Sequence, residues 1–73
     1  MTTATLNQTE HAYACRMALA ELLNAIAVTG SSRHEALSVG RLWLERARKQ
    51  AQTADERTVV RRLREAMRGV EQS

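Results

Sequence analysis

The sequence predicts an all-α fold, a small antiparallel three-helix domain with helices near residues 10–29, 33–51 and 55–69. Three observations carry this. The chain has no Pro, and its three glycines, Gly30, Gly40 and Gly69, are isolated, so the frequent tight turns of a sandwich or barrel have no source. Apolar residues recur at i, i+3 and i+4 and never alternate. Two short polar breaks, Thr29-Gly30-Ser31-Ser32 and Gln52-Thr53-Ala54-Asp55, divide the chain into three stretches, each long enough for several helical turns. Turns this short make sequential helices antiparallel neighbours.

Residues 1–8 are Thr-rich and aperiodic and read as a flexible tail; residues 9–70 form one domain, and 71–73 are expected to fray. Thr9 is a candidate N-cap, with Glu10 placed favourably in the first turn. The first helix carries two apolar stripes. Ala12, Cys15, Leu19, Leu22 and Ile26, bordered by Leu23, are expected to face the core. Tyr13, Met17, Ala20, Ala27 and Val28 lie on roughly the opposite side. Among clearly polar groups only Arg16, Glu21 and Asn24 interrupt its interior. A surface helix has one apolar stripe, and a helix with two needs neighbours on two sides. The surplus stripe predicts completion of the fold by homodimerisation through this helix, with Tyr13, Met17, Ala20 and Asn24 at the interface.

Gly30 suits a left-handed helix C-terminus. Ser32 with Glu35 makes a capping box for the second helix, with Ser31 the alternative cap. Its expected core face is Ala36, Val39, Gly40, Trp43, Ala47 and Ala51, widened by Leu37 and Leu44. Leu42 falls on the far side and is assigned to the protein interface. Gly40, mid-helix, costs about 1 kcal/mol relative to Ala, which a close approach of another helix would explain, with Trp43 filling the groove beside it. Thr53 and Glu56 form a second capping box, with Asp55 an alternative cap. The third helix has one clean stripe, Val59, Val60, Leu63, Ala66, Met67 and Val70. Its opposite face carries Arg57, Arg61, Arg64 and Arg68.

Charge is unevenly distributed. Eleven basic residues, ten of them Arg, face eight acidic ones, for a net +3; residues 1–40 carry −1 and residues 41–73 carry +4. Arginine forks suit carboxylate or phosphate, so the four-arginine face is a candidate contact for nucleic acid or an acidic partner. A stretch of apolar residues long enough to span a bilayer is lacking, and no positive n-region precedes an apolar segment, so a cytoplasmic setting is expected. A single cysteine, Cys15, accords with a reducing compartment.

Chemistry has few candidates. His11 lies one turn before Cys15, and such a pair can generate a thiolate, but alignment with Leu19, Leu22 and Ile26 reads Cys15 as core. His11 and His34 are both expected to be solvated near helix starts. There is no HExxH, no CxxC and no Gly-rich phosphate loop, so no metal, cofactor, small-molecule substrate or catalytic residue is predicted, and no membrane partner. The expectation is a non-enzymatic helical protein-interaction module, a regulator, adaptor, chaperone or antagonist that occupies a partner protein's surface. The alternative is a dimeric nucleic-acid binder using the arginine face.

Overall fold

A computed structural model describes the backbone of Thr3–Gln72, with side chains described from Thr9 onward. It is a three-helix, all-α domain: α1 (Thr3–Ala27), α2 (Gly30–Gln50) and α3 (Ala54–Gln72). α1 and α2 form the principal hairpin, and α3 lies along it, antiparallel to α2 and parallel to α1. The described residues contain no strand.

The helix boundaries differ from expectation in ways that have local causes. α1 begins at Thr3, so Thr9 is interior to the helix and is not its cap. Residues Met1, Thr2 and Ser73, parts of the expected tail and frayed end, lie outside the described residues. α1 ends at Ala27 and only Val28 and Thr29 precede α2. Gly30 takes the left-handed conformation, φ +66°, as the sequence suggested. α2 therefore starts at Gly30, Ser31 and Ser32 are already helical, and the Ser32–Glu35 capping box does not form. The α2 N-cap is Thr29, with no side-chain hydrogen bond.

The exposed carbonyls at the end of α1 are satisfied from the next helix. Arg33 Nε donates to both the Ala25 and Val28 carbonyls at 3.0 Å. The end of α2 is treated in the same manner. The Ala51 amide turns to the Arg48 carbonyl at 3.3 Å, which takes the usual i+4 donor away from Ala47. His11 of α1 supplies the replacement, its Nδ1 donating to the Ala47 carbonyl at 3.0 Å. The start of α3 follows the sequence. Thr53 Oγ1 accepts from the Glu56 amide at 3.1 Å, while Glu56 Oε1 accepts from the Thr53 and Gln52 amides at 3.0 and 2.8 Å. α3 runs through Gln72, and Glu71, expected to fray, pairs with Arg41 of α2.

The core is made largely of small residues. Ala14, Ala18 and Ala25 of α1 are buried against Ala36, Gly40 and Ala47 of α2, the same +4, +7 spacing on both helices. Leu22, Leu37, Leu44, Val60 and Met67 complete it. Gly40 earns its place: a Cβ there would sit 3.3 Å from the Glu21 Cβ and 2.8 Å from the Met67 Cε. The close approach of α1 thus rests on Gly40, but it is Met67, not Trp43, that fills the space beside it.

This alanine seam revises the expected faces. Leu22 is buried, but Ala12, Leu19 and Ile26 are exposed and Cys15 is half-buried. On α2, Leu37 and Leu44 are central, Val39 is exposed, and Trp43 is half-buried at the flank. The helices turn to bring alanines together because small side chains permit closer backbones, leaving the larger residues beside the seam.

Candidate interaction surfaces

The narrow core leaves apolar side chains outside on both flanks of α1. On the α2 side, Tyr13 is 52% exposed and meets Trp43 edge to face, ring centroids 5.6 Å apart at 80°. The Arg46 guanidinium carbon lies 5.0 Å from the Trp43 ring centre, a cation–π placement. Val39, Leu42, Trp43 and Arg46 line one shallow depression, and Leu42 is 72% exposed. Met17, half-buried, stands one turn beyond Tyr13; Ala20 and Asn24 continue the same side of α1 as exposed residues. Tyr13, Trp43 and Leu42 thus belong to one surface. Sequence reading missed Trp43, Val39 and Arg46 as members, because it placed Trp43 and Val39 in the core. The signal available was their helical adjacency to Leu42.

On the α3 side, Ala12, Leu19, Leu23 and Ile26 form an exposed line along α1, with Leu23 58% and Ile26 56% exposed. Val59 of α3 shares a shallow groove with His11, Ala12, Cys15 and Arg16 of α1 and with Asp55 and Glu56 at the start of α3. Because α1 and α3 run parallel, exposed Ala66 and half-buried Leu63 and Val70 follow Val59 along the same flank.

Arg57, Arg61, Arg64 and Arg68 are all exposed. Arg64 and Arg68 line a groove between α2 and α3 with Arg41, Leu44, Glu45, Met67 and Glu71. The groove carries its own acids. Glu71 pairs with Arg41, and Glu45 pairs with Arg48. The Arg48 hydrogen bond, aided by the charges of Arg48, Lys49 and Arg64, holds the Glu45 carboxyl below its ordinary value. The same pair raises the Arg48 guanidinium further. Both acids are thus held by arginines of α2, and they share the groove with Arg64 and Arg68 of the strip.

His11, expected in solvent, is 6% exposed. A carbonyl can only accept, so the bond to Ala47 fixes the proton on Nδ1 and leaves Nε2 as an acceptor facing the Cys15 Sγ at 3.5 Å. The thiol accordingly donates. Burial, and secondly the Glu56 carboxylate, push the Cys15 pKa up. This environment favours the thiol over the nucleophilic thiolate. Among the described residues no group of three His, Cys, Asp or Glu could hold a metal ion. No helix among them is long and apolar enough to cross a membrane.

No protein-family model, no curated protein and no solved structure matches the chain.

Proposed function

We propose that this protein is a non-enzymatic helical interaction module, a small regulator, adaptor, chaperone or antagonist that occupies the surface of a partner protein, and that it also self-associates. The observation that carries this reading is the two-sided exposure of α1: Tyr13 and Met17 beside Trp43 and Leu42 on one flank, and Leu19, Leu23 and Ile26 on the other. Contiguous exposed apolar surface on a small protein marks an interaction site. The Tyr13–Trp43–Leu42 surface, aromatic and edged by Arg46, has the composition favoured at the centre of protein–protein contacts and is assigned to the foreign partner. A cytoplasmic setting accords with the free Cys15.

Leu42→Asp tests the assignment. Leu42 supports nothing beneath it, so the variant should melt as the parent does. It should lose any protein that co-purifies stoichiometrically with the parent from the source cell. Retention of that protein by the folded variant would contradict the assignment.

A second reading uses the exposed Arg57, Arg61, Arg64 and Arg68 as phosphate contacts for nucleic acid. The acids that share the Arg64–Arg68 groove set it behind the first. Four phosphate contacts would weaken duplex binding roughly 100-fold between 50 and 200 mM salt. Absence of binding to duplex DNA or RNA at 50 mM salt would remove this reading.

A further inference from the structure

We infer that the flank of α1 bearing Ala12, Arg16, Leu19, Leu23 and Ile26 is a seam for a second copy of this chain, packed antiparallel across a two-fold axis. The inference rests on the reading that the protein self-associates, and it moves the contact away from the Tyr13 flank. The five residues are spaced 4, 3, 4, 3, the ladder of a coiled-coil seam. Four are apolar, and all are exposed in the isolated chain. From Met17 to Val28 the only charged residue is Glu21, and it is turned the other way, half-buried against Gly40. Leu19, Ala20, Leu23, Asn24, Ile26 and Ala27 thus present an exposed face with no charge. Such a face gives a foreign charged partner nothing to recognise, but it fits its own copy.

The fit is specific to the antiparallel arrangement. With the axis beside position 21, Leu19 meets the partner's Leu23, and Leu23 the partner's Leu19. Arg16, the one charge in the ladder, meets the partner's Ile26 at the C-terminal end of its α1. That end is already capped by Arg33 on the Ala25 and Val28 carbonyls, so the aliphatic stem of Arg16 lies along the partner's Ile26 while its guanidinium reaches solvent. Ala12 faces the partner's Gly30, beside which space is open. A parallel pairing would instead stack Arg16 on the partner's Arg16. The ladder is about 21 Å long, and Val59 and Ala66 of α3 widen it. This places the contact at the small end of biological interfaces, about 1,000 Å² in total, so dissociation at micromolar concentration is expected.

Sedimentation equilibrium from 5 to 500 µM tests this on three chains. The parent should rise from 8.2 kDa toward twice that mass; Leu23→Asp should stay at the monomer mass; Leu42→Asp should follow the parent. A parent that remains monomeric throughout overturns self-association itself. A parent that doubles while folded Leu23→Asp also doubles overturns the seam alone. Should Leu23→Asp fail to give a cooperative melt, Cys15→Ser/Leu19→Cys/Leu23→Cys decides the matter. Oxidation should yield a covalent dimer, whereas Cys15→Ser/Tyr13→Cys/Met17→Cys should not; the reverse result overturns the seam.

Discussion

His11 shows how a residue acquires its role from contacts remote in sequence. Its Nδ1 replaces the backbone donor that Ala47 loses when Ala51 turns to Arg48, and its Nε2 accepts a hydrogen bond from the Cys15 thiol. Local sequence placed it near a helix start and so in water; nothing within a few residues reveals that the end of α2 arrives beside it. The proximity of Cys15, one turn on, was legible; the orientation of the pair toward α2 was not. Arg33 is the same case, capping α1 from α2 with no local signature. His11→Phe keeps the ring volume but strands the Ala47 carbonyl, and a buried unpaired acceptor costs about 1–3 kcal/mol. A urea melt should show a lower midpoint with an unchanged slope. An unchanged midpoint would mean that water satisfies the carbonyl. The Cys15 thiol should react with a thiol reagent at pH 6 more slowly in the folded chain than in the unfolded one, because burial raises its pKa. Equal rates would overturn the description of this corner.

At the scale of elements, the sequence was most informative where a few adjacent residues satisfy one another. The Thr53–Glu56 box forms as the spacing requires, because each partner is three residues from the other and no distant group competes. The Ser32–Glu35 box has the same spacing and does not form, because the left-handed Gly30 lets the helix begin earlier and absorbs Ser32 into its first turn. The Glu56 carboxyl is held below its ordinary value, chiefly by the Gln52 amide and also by the Thr53 amide and hydroxyl. A carboxyl depressed in the folded state contributes stability above its unfolded pKa of about 4.3, and that contribution is lost as pH falls through the folded value. Glu56→Gln should therefore flatten the acid limb of the stability profile below about pH 4.3 while changing its slope near neutrality little. An acid limb identical to the parent's would show that Glu56 is not linked to folding. The two helical glycines outside the turn should respond in opposite senses. A side chain at Gly69 meets nothing within 4 Å, so Gly69→Ala should stabilise α3 by about 0.5 kcal/mol. Gly40→Val drives branched methyls into Glu21 and Met67 and should cost about 1–3 kcal/mol. Thermal melts of the two variants side by side would show it; stabilisation by Gly40→Val would refute the close approach of α1 and α2.

The whole molecule is a slender rod, 43 × 18 × 14 Å, with an accessible surface of 5039 Å². A compact monomer of this mass exposes about 4,500 Å², so part of the excess is surface that a partner can cover. Fold class, helix number and the surplus of apolar residues on α1 were legible in the sequence, since periodicity reports each directly. Which stripe turns inward was not, because periodicity weighs a leucine above an alanine while close helix packing favours the alanine. The core that results is thin. Five of its ten buried apolar residues are alanine, and Met67 is its one large side chain under 2% exposed among the described residues. Half-buried Trp43 contributes less than a buried aromatic would, so Trp43→Ala should cost about 1–2 kcal/mol and Met67→Ala about 2–5 kcal/mol, the reverse of the order that size alone gives. A chain of this length holds roughly 4–11 kcal/mol of stability in the ordinary range, and a core of alanines sits toward the lower end. On the proposed seam, burial of Leu19, Leu23 and Ile26 against a second copy would add to that total and link stability to concentration. A hundredfold rise in protein concentration favours the folded dimer by at most about 1.4 kcal/mol per chain, which in a domain of this size raises the melting temperature by up to roughly 5–10 °C. Calorimetry between 5 and 500 µM should show that rise in the parent and none in Leu23→Asp, whose melt should match the dilute parent's. A parent whose melting temperature does not move across that range would show that the alanine core suffices alone, and that the leucines beside it serve a foreign partner only.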